Sequence, residues 1–402
     1  MMRKIALGFL LLGASAGCLS AEVFRFAYTK GEKYHLLSRV HESAFVNGRF
    51  LNDADILNKI SVEVTDTKGD SGYNVAAFET STRAYGSQRA YEWSDTYTSE
   101  FWRDGRGAYT IDPSYFMPVV RDVPLFPEGD VQPGQSWVAQ GNETDDLRDS
   151  FNIPNPFSYP TTATYTYVGN ETRDGVACAV LTINVSIFHT ATPPEGTTGM
   201  YPIRVTGSTR VRYWWDLANK RPVYSTEDFD IVFTFNTGVV VEYTGNDTGE
   251  LVEVQPLDRS KVAGDIQNQI QQQGIPDVTV KPTDQGVTIT LENVNFPPNS
   301  DQLQPAEQEK VQRIADILKK YPDRDIAVTG FTARAPGYTE EDYQKLSDER
   351  ARAVANYLLS LGARTADHLT ARGMGASSPI GDNSTDDGRR KNRRVEITIL
   401  EN

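Results

Sequence analysis

From residue 22 to about 255, apolar and aromatic side chains alternate with polar ones over short runs. Phe229, Ile231, Phe233 and Phe235 share one parity; Asp228, Asp230, Thr234 and Asn236 take the other. A period of two marks a strand with one buried face. Asn236-Thr237-Gly238 supplies a turn, and Val239, Val241 and Tyr243 resume the alternation, which predicts a hairpin. Thr164 to Val168 and Thr182 to Phe188 follow the same pattern across a segment rich in Gly, Asn and Asp. Pro118, Pro124, Pro127 and Pro133 punctuate the middle of the region. Prolines at that density end strands, because each lacks the N–H that a ladder needs. The pattern predicts two β subdomains, 22–120 and 121–255, with one large sheet system as the alternative. The runs are shorter than the ~9–11 residues of a membrane-barrel strand and are broken by acids and prolines. An antiparallel sandwich or half-barrel is therefore expected.

The period changes at Asp258. Val262, Ile266 and Ile270 recur every four residues and Gly274 follows, a short amphipathic helix expected to act as a linker over 256–277. Val278 and Val280, then Val287, Ile289 and Leu291, alternate as strands around Asp284-Gln285-Gly286. Pro305 opens a helix with Val311, Ile314, Ala315 and Leu318 as its apolar stripe. Ile326 to Phe331 is a short apolar strand. A second helix carries Leu346, Arg350, Val354, Tyr357, Leu358 and Leu361 up to Gly362. Leu369 to Arg372 and Val395 to Leu400 add strands. Residues 278–402 are thus expected to form an α+β unit with helices packed on a sheet. All five tryptophans precede residue 255, a break in composition that supports a boundary there.

The chain has 402 residues, enough for two or three domains, and a formal net charge of -14. An acidic chain gains no counterion-release energy from nucleic acid, so nucleic acid is not an expected partner. Arg3 and Lys4, the apolar run Ile5 to Leu12 and the small residues from Gly13 to Gly17 have the three-part pattern of a secretory signal over 1–21. Leu19-Ser20-Ala21 suits ordinary cleavage before Glu22, and Glu22 to Phe26 then looks like a strand. Ser15-Ala16-Gly17-Cys18 also resembles a lipobox, which would leave Cys18 acylated. Export to the periplasm is expected, with outer-membrane association in the lipobox alternative. Cys178 remains single, so no disulfide framework is expected. Its apolar run, Val176 to Leu181, points to a buried small hydrophobe.

The C-terminal residues carry a series of motifs. Asn299-Ser300, Leu303 and Pro305 lead into the first helix. Gly330-Phe331-Thr332-Ala333 is followed by Leu346-Ser347 with Arg350-Ala351, by Gly373-x-Gly375, and by Gly388-Arg389 with Asn392-Arg393-Arg394-Val395. In that order they resemble the OmpA-like domain family over about 280–400. The resemblance implies non-covalent binding of peptidoglycan by a domain that pins envelope proteins to the wall. In the family, diaminopimelate of the stem peptide lies between an Asp of Gly-His-Thr-Asp and the Arg of Leu-Ser-x-x-Arg-Ala. An ammonium seeks a carboxylate, and a carboxylate seeks a guanidinium fork. Here Thr332 and Arg350 occupy family positions and are the candidate ligand residues. Phe331 replaces the His, Ala333 the Asp, and Tyr343 an Asn. With Arg334 beside Ala333, the ligand ammonium would lack its counter-charge, a loss on the order of several kcal/mol in a partly buried site. Glu340, Glu341 or Asp342 is the nearest replacement in sequence.

No catalytic pattern accompanies these motifs. His35, His41, His189 and His368 lack metal-ligand spacing, and neither a nucleophile elbow nor a phosphate loop occurs. The basic run Arg389 to Arg394 coincides with the family's structural ending and has no interleaved aromatics. The expectation is a non-enzymatic envelope protein without cofactor or metal. Its partner is peptidoglycan, with envelope proteins or lipid meeting the β region. The alternative is an OmpA-like fold that has lost peptidoglycan binding, joined to a ligand carrier or protein-interaction module.

Overall fold

The computed structural model describes residues 21–252, 256–292, 294 and 303–401. Residues 1–20 of the expected signal, Cys18 among them, and Asn299-Ser300 lie outside the described residues. Among the described residues no helix is long and apolar enough to cross a membrane.

The N-terminal region contains β1 (Lys33–Val46), β2 (Arg49–Lys68), β3 (Ser71–Ala84), β4 (Tyr91–Arg103), β5 (Tyr109–Ile111), β6 (Val120–Arg121) and β7 (Ser136–Asp145). After the single turn α1 (Arg148–Phe151) come β8 (Phe157–Arg173), β9 (Val176–Thr190), β10 (Pro202–Asp216), β11 (Arg221–Phe235) and β12 (Val240–Val252). All pairings are antiparallel between chain neighbours, except that β1 also takes β12 as a neighbour, with His35 opposite Val252 and Val46 opposite Val241. Strands from 22–120 and from 121–255 therefore share one sheet. The proline-rich segment runs between the two ends of that sheet. The Tyr109 N–H on β5 donates to Asp122 Oδ1 just after β6 at 2.7 Å, so the sheet curls back on itself.

Several strands are longer than their apolar runs suggest, β2 reaching 20 residues. Their outward row is mostly polar: Thr164, Asn184, Ser186, Ser208 and Arg210 are exposed, with Val138, Val168 and Phe188 as exposed apolar exceptions. Inside, Tyr159, Tyr165, Ile183, Val205, Phe233 and Phe235 are packed together. Residues 22–26 differ from expectation. They form an extended segment with one bridge, Glu22 to Val131, and not a ladder strand. Its order comes from side chains: Phe24 stacks on Phe126 at 5.4 Å and Phe26 meets Trp215 edge-on at 4.8 Å. Cys178 is buried and free on β9, and burial pushes its thiol pKa up.

The C-terminal unit contains α2 (Arg259–Gln272), β13 (Val278–Thr283), β14 (Gly286–Glu292), α3 (Pro305–Leu318), β15 (Ile326–Gly330), α4 (Glu340–Ser360), β16 (Leu369–Gly373), α5 (Asp386–Asn392) and β17 (Arg394–Leu400). Its strand order is β13-β14-β17-β15-β16, antiparallel except for the parallel pair β15–β16. The helix expected as a linker is part of this unit's core. Val262, Ile266 and Ile270 of α2 are buried with Val287 and Ile289 of β14 and Ile314 of α3. Its four-residue period was a packing face, and a face of that kind is stable only when covered.

The free edge of β16 meets β4 in parallel, Thr370 opposite Tyr91 and Ala371 opposite Glu92. Beside this junction Arg39 pairs with Asp367 at 2.7 Å and Arg352 with Glu92 at 3.2 Å. Leu37 and Leu57 pack with Tyr91 and Ala366 on that side. Because strand side chains alternate, the neighbouring Ser38, Val40, Ile56 and Asn58 point to the interior of the curl.

Candidate functional site

The site assembles where β15 ends and α4 packs across it. A Cβ on Gly330 would lie 2.2 Å from the Ser347 carbonyl oxygen, so only glycine permits this approach. The loop beyond is held by backbone bonds. Met374 N–H donates to Gly330 O at 3.0 Å, Phe331 N–H to Arg394 O at 3.0 Å, and Thr332 N–H to Gly375 O at 2.9 Å. Phe331 is buried under the Arg394 guanidinium, 3.6 Å above its ring, and Arg394 also pairs with Glu396 at 2.6 Å. The residue that replaces the family's His thus serves as a packed cation–π partner. The Thr332 hydroxyl is buried without a hydrogen bond, and unsatisfied polar atoms of that kind are uncommon.

Ala333 is half-buried and brings no charge. Arg334 turns outward to Glu340 at 2.6 Å. The Tyr343 hydroxyl accepts from Ala335 N–H at 2.8 Å and donates to Ala335 O at 2.5 Å, pinning the loop. The three acids closest in sequence open α4. Asp342 closes a capping box, its Oδ2 accepting from the Thr339 N–H and hydroxyl, each at 2.8 Å. With Glu340 paired to Arg334, two of the three are committed, and Glu341 is exposed.

Arg350 lies half-buried on α4. Burial, and then the charge of neighbouring Arg393, pull its pKa down, while Glu349 works the other way. The positive charge of Arg393 thus bears on the Arg350 guanidinium, which favours an anion beside it. Arg393 had no place among the sequence-derived candidates, because the Asn-Arg-Arg run was assigned to structure as a whole. The rest of that run is structural. Asn392 is buried and holds residues 380–383 through bonds to Ile380, Gly381 and Asn383, each at 2.8 Å. Arg389 donates to Asn383 O at 2.7 Å and pairs with Asp386. Chemically, the site holds the Arg350 guanidinium, a group suited to a carboxylate, and no acid at position 333. Among the described residues no group of His, Cys, Asp and Glu is placed to hold a metal ion.

Comparison with known proteins follows the same outline. Residues 295–393 match the OmpA family. The peptidoglycan-binding protein ArfA of Mycobacterium tuberculosis is 41% identical over 97 residues, 24% of this chain and 29% of that protein. The probable lipoprotein YiaD of Escherichia coli is 37% identical over 107 residues, 27% of this chain and 48% of that protein. The chain thus spans between about three-tenths and half of the length of these relatives. Among solved structures, the cell wall anchor of the T6SS from Pseudomonas aeruginosa is 30% identical, covering 36% of this chain and all of that one with a TM-score of 0.31. The OmpA match does not extend to the β region. Residues 295–393 of this chain are an OmpA-family domain.

Proposed function

We propose that this is a non-enzymatic cell-envelope protein whose OmpA-family domain holds it to peptidoglycan through Arg350. The observation that carries the proposal is the half-buried Arg350 beside Arg393, at the end of β15 where the family motif lies. Relatives described as peptidoglycan-binding support it. The altered loop defines the chemistry. A diaminopimelate carboxylate engages the guanidinium groups, and its ammonium stays in water because Ala333 offers nothing to draw it in. Under this proposal the protein resides in the periplasm, attached to the outer membrane if Cys18 is acylated, and the curled β region faces envelope proteins or lipid.

A second reading keeps the fold without wall binding. The replacement of an acid by Ala333, with Arg334 next to it, favours that reading. Calorimetric titration of the purified protein with a diaminopimelate-containing muropeptide separates the two. The first reading expects saturable binding, weakened at least about tenfold in Arg350→Ala, since one charged hydrogen-bonded contact is worth about that much. Absence of binding leaves the second.

A further inference from the structure

The curled β sheet encloses a cavity of about 580 Å³, within the range of ligand sites. Much of its wall is apolar, including Ile56, Phe78, Phe229 and Ile231. Glu42, Glu143, Asp145, Asp146, Glu227 and Asp247 also line it, and among the described residues no Lys, Arg or His does. Among the described residues Asp146 pairs with Arg148, whose guanidinium reaches it at the mouth on α1, and Arg39 acts on Asp247 from outside the lining. Glu143 is 8% exposed, and the Tyr159 side chain opposite it on β8 is 1% exposed. The Tyr159 hydroxyl and Asp145 Oδ2 are buried with no hydrogen bond of good geometry, although Asp145 and Glu143 both lie close to that hydroxyl. One phenol thus serves two buried carboxyls in poor geometry, with no cation among them, inside an apolar wall. Such a combination costs stability unless something completes it.

The wall is reached from outside. Val120 is 43% exposed and Ser150 is exposed, and both line the cavity, so the segment 117–120 and α1 frame an entrance. Burial, then the repulsion of Asp145 and Glu227, push the Glu143 carboxyl up. Burial likewise raises Asp145, Glu42 and Asp247, the last opposed by Ser38 and Arg39, and pushes Glu227 up to about 7. Protons, or a guest cation, are what these groups lack.

We propose that this cavity is a binding site for an organic amine with an apolar body, its ammonium held by Glu143 and Asp145 and its hydrocarbon lying against Phe229 and Ile56. Charge complementarity argues for that occupant. An anion would meet six carboxyls and no lining cation, and a neutral apolar guest would leave the buried carboxyls without a counter-charge. A bare metal ion would leave the apolar wall uncovered. The proposal does not depend on how the C-terminal domain meets the wall.

The test is calorimetric titration of the purified protein with octylamine, octanol and octanoate at pH 8 and at pH 5. Octylamine is expected to saturate one site, octanol to bind at least about tenfold more weakly, and octanoate not to bind. Amine affinity is expected to fall from pH 8 to pH 5 as the cavity carboxyls take up protons. The double variant Glu143→Gln/Asp145→Asn should lose about tenfold in amine affinity, while Asp230→Asn, on the exposed face of β11, should not change it. Should the double variant fail to fold, Glu227→Gln alone carries the test, with a loss of at least about threefold. Equal binding of the three probes, no saturable amine binding, or undiminished amine binding in the carboxyl variants would overturn the proposal.

Discussion

Lys59 Nζ on β2 lies 2.6 Å from Asp325 Oδ2 at the start of β15, joining the β region to the OmpA-family domain. The other carboxylate oxygen lies 2.6 Å from His368 Nδ1. Burial pushes Asp325 up, but His368 and Lys59 overcome it and hold the carboxyl down at about 2. Both side chains of the pair are mostly buried, so the interaction is screened less than a surface pair. Lys59→Met is expected to cost roughly 1–3 kcal/mol, between exposed and fully buried pairs. Urea denaturation reads that cost, and the Asp325 carboxyl pKa followed by NMR should rise. An unchanged denaturation midpoint and an unchanged Asp325 would refute the bridging role.

Stability against pH should show two opposing slopes. Asp325 has a depressed folded pKa, so its contribution is present above the unfolded value near 3.8 and disappears as pH falls toward about 2. The cavity acids behave in the opposite sense. Their folded pKa values are raised, to about 7 for Glu227, so their contribution is present below the unfolded value of 4.5 and is lost as pH rises through 7. Melting temperature is therefore expected to peak near pH 4–5 and to decline toward pH 8. Glu143→Gln/Asp145→Asn should flatten the decline. A Tm that climbs from pH 5 to pH 8 would contradict the assignment.

The loop after β15 has a separate anchor. Tyr343→Phe removes both hydroxyl bonds to Ala335, and a cost of about 1–2 kcal/mol is expected for a buried phenol that leaves two backbone groups behind. Hydrogen exchange at Ala335 should accelerate, and protection unchanged from wild type would show that the loop is held by other contacts.

Gly330→Ala probes the backbone approach on which the site rests. The added methyl would meet Ser347 O and Ala351 N, both backbone atoms that cannot rotate away. Overpacking of this kind costs typically 1–3 kcal/mol, and thermal unfolding is the measurement. Wild-type stability in this variant would mean that α4 stands further from β15 than described.

The local patterns were largely legible in the sequence. The Phe229–Phe235 alternation, the Pro305 helix start and the Gly330-to-Arg394 motif order each depend on short-range periodicity or fixed chemistry. What stayed hidden depends on distant partners. Nothing local reveals that β1 takes β12 as a neighbour, which merges the strands of two expected β subdomains into one sheet. The face of α2 was visible, but its burial against β14 was not. Residues 22–26 alternated like a strand, yet side-chain stacking orders them instead. One signal was available and unused. Glu227 and Asp247 share the parity of Phe229 and Tyr243, and an acid on an apolar face marks a lined cavity. At the proposed site, Arg350 was found by motif, whereas Arg393 needed three dimensions.

The central claim is that Arg350 fastens this protein to the wall, and co-sedimentation of the purified protein with isolated peptidoglycan sacculi tests it most directly. Wild type, Arg350→Ala and Ala333→Asp are compared at matched salt. The account predicts that wild type sediments with sacculi, that Arg350→Ala stays in solution, and that Ala333→Asp sediments at lower sacculus concentration because an acid is restored for the ammonium. Retention of Arg350→Ala at the wild-type level, or sedimentation by Ala333→Asp alone, would contradict it.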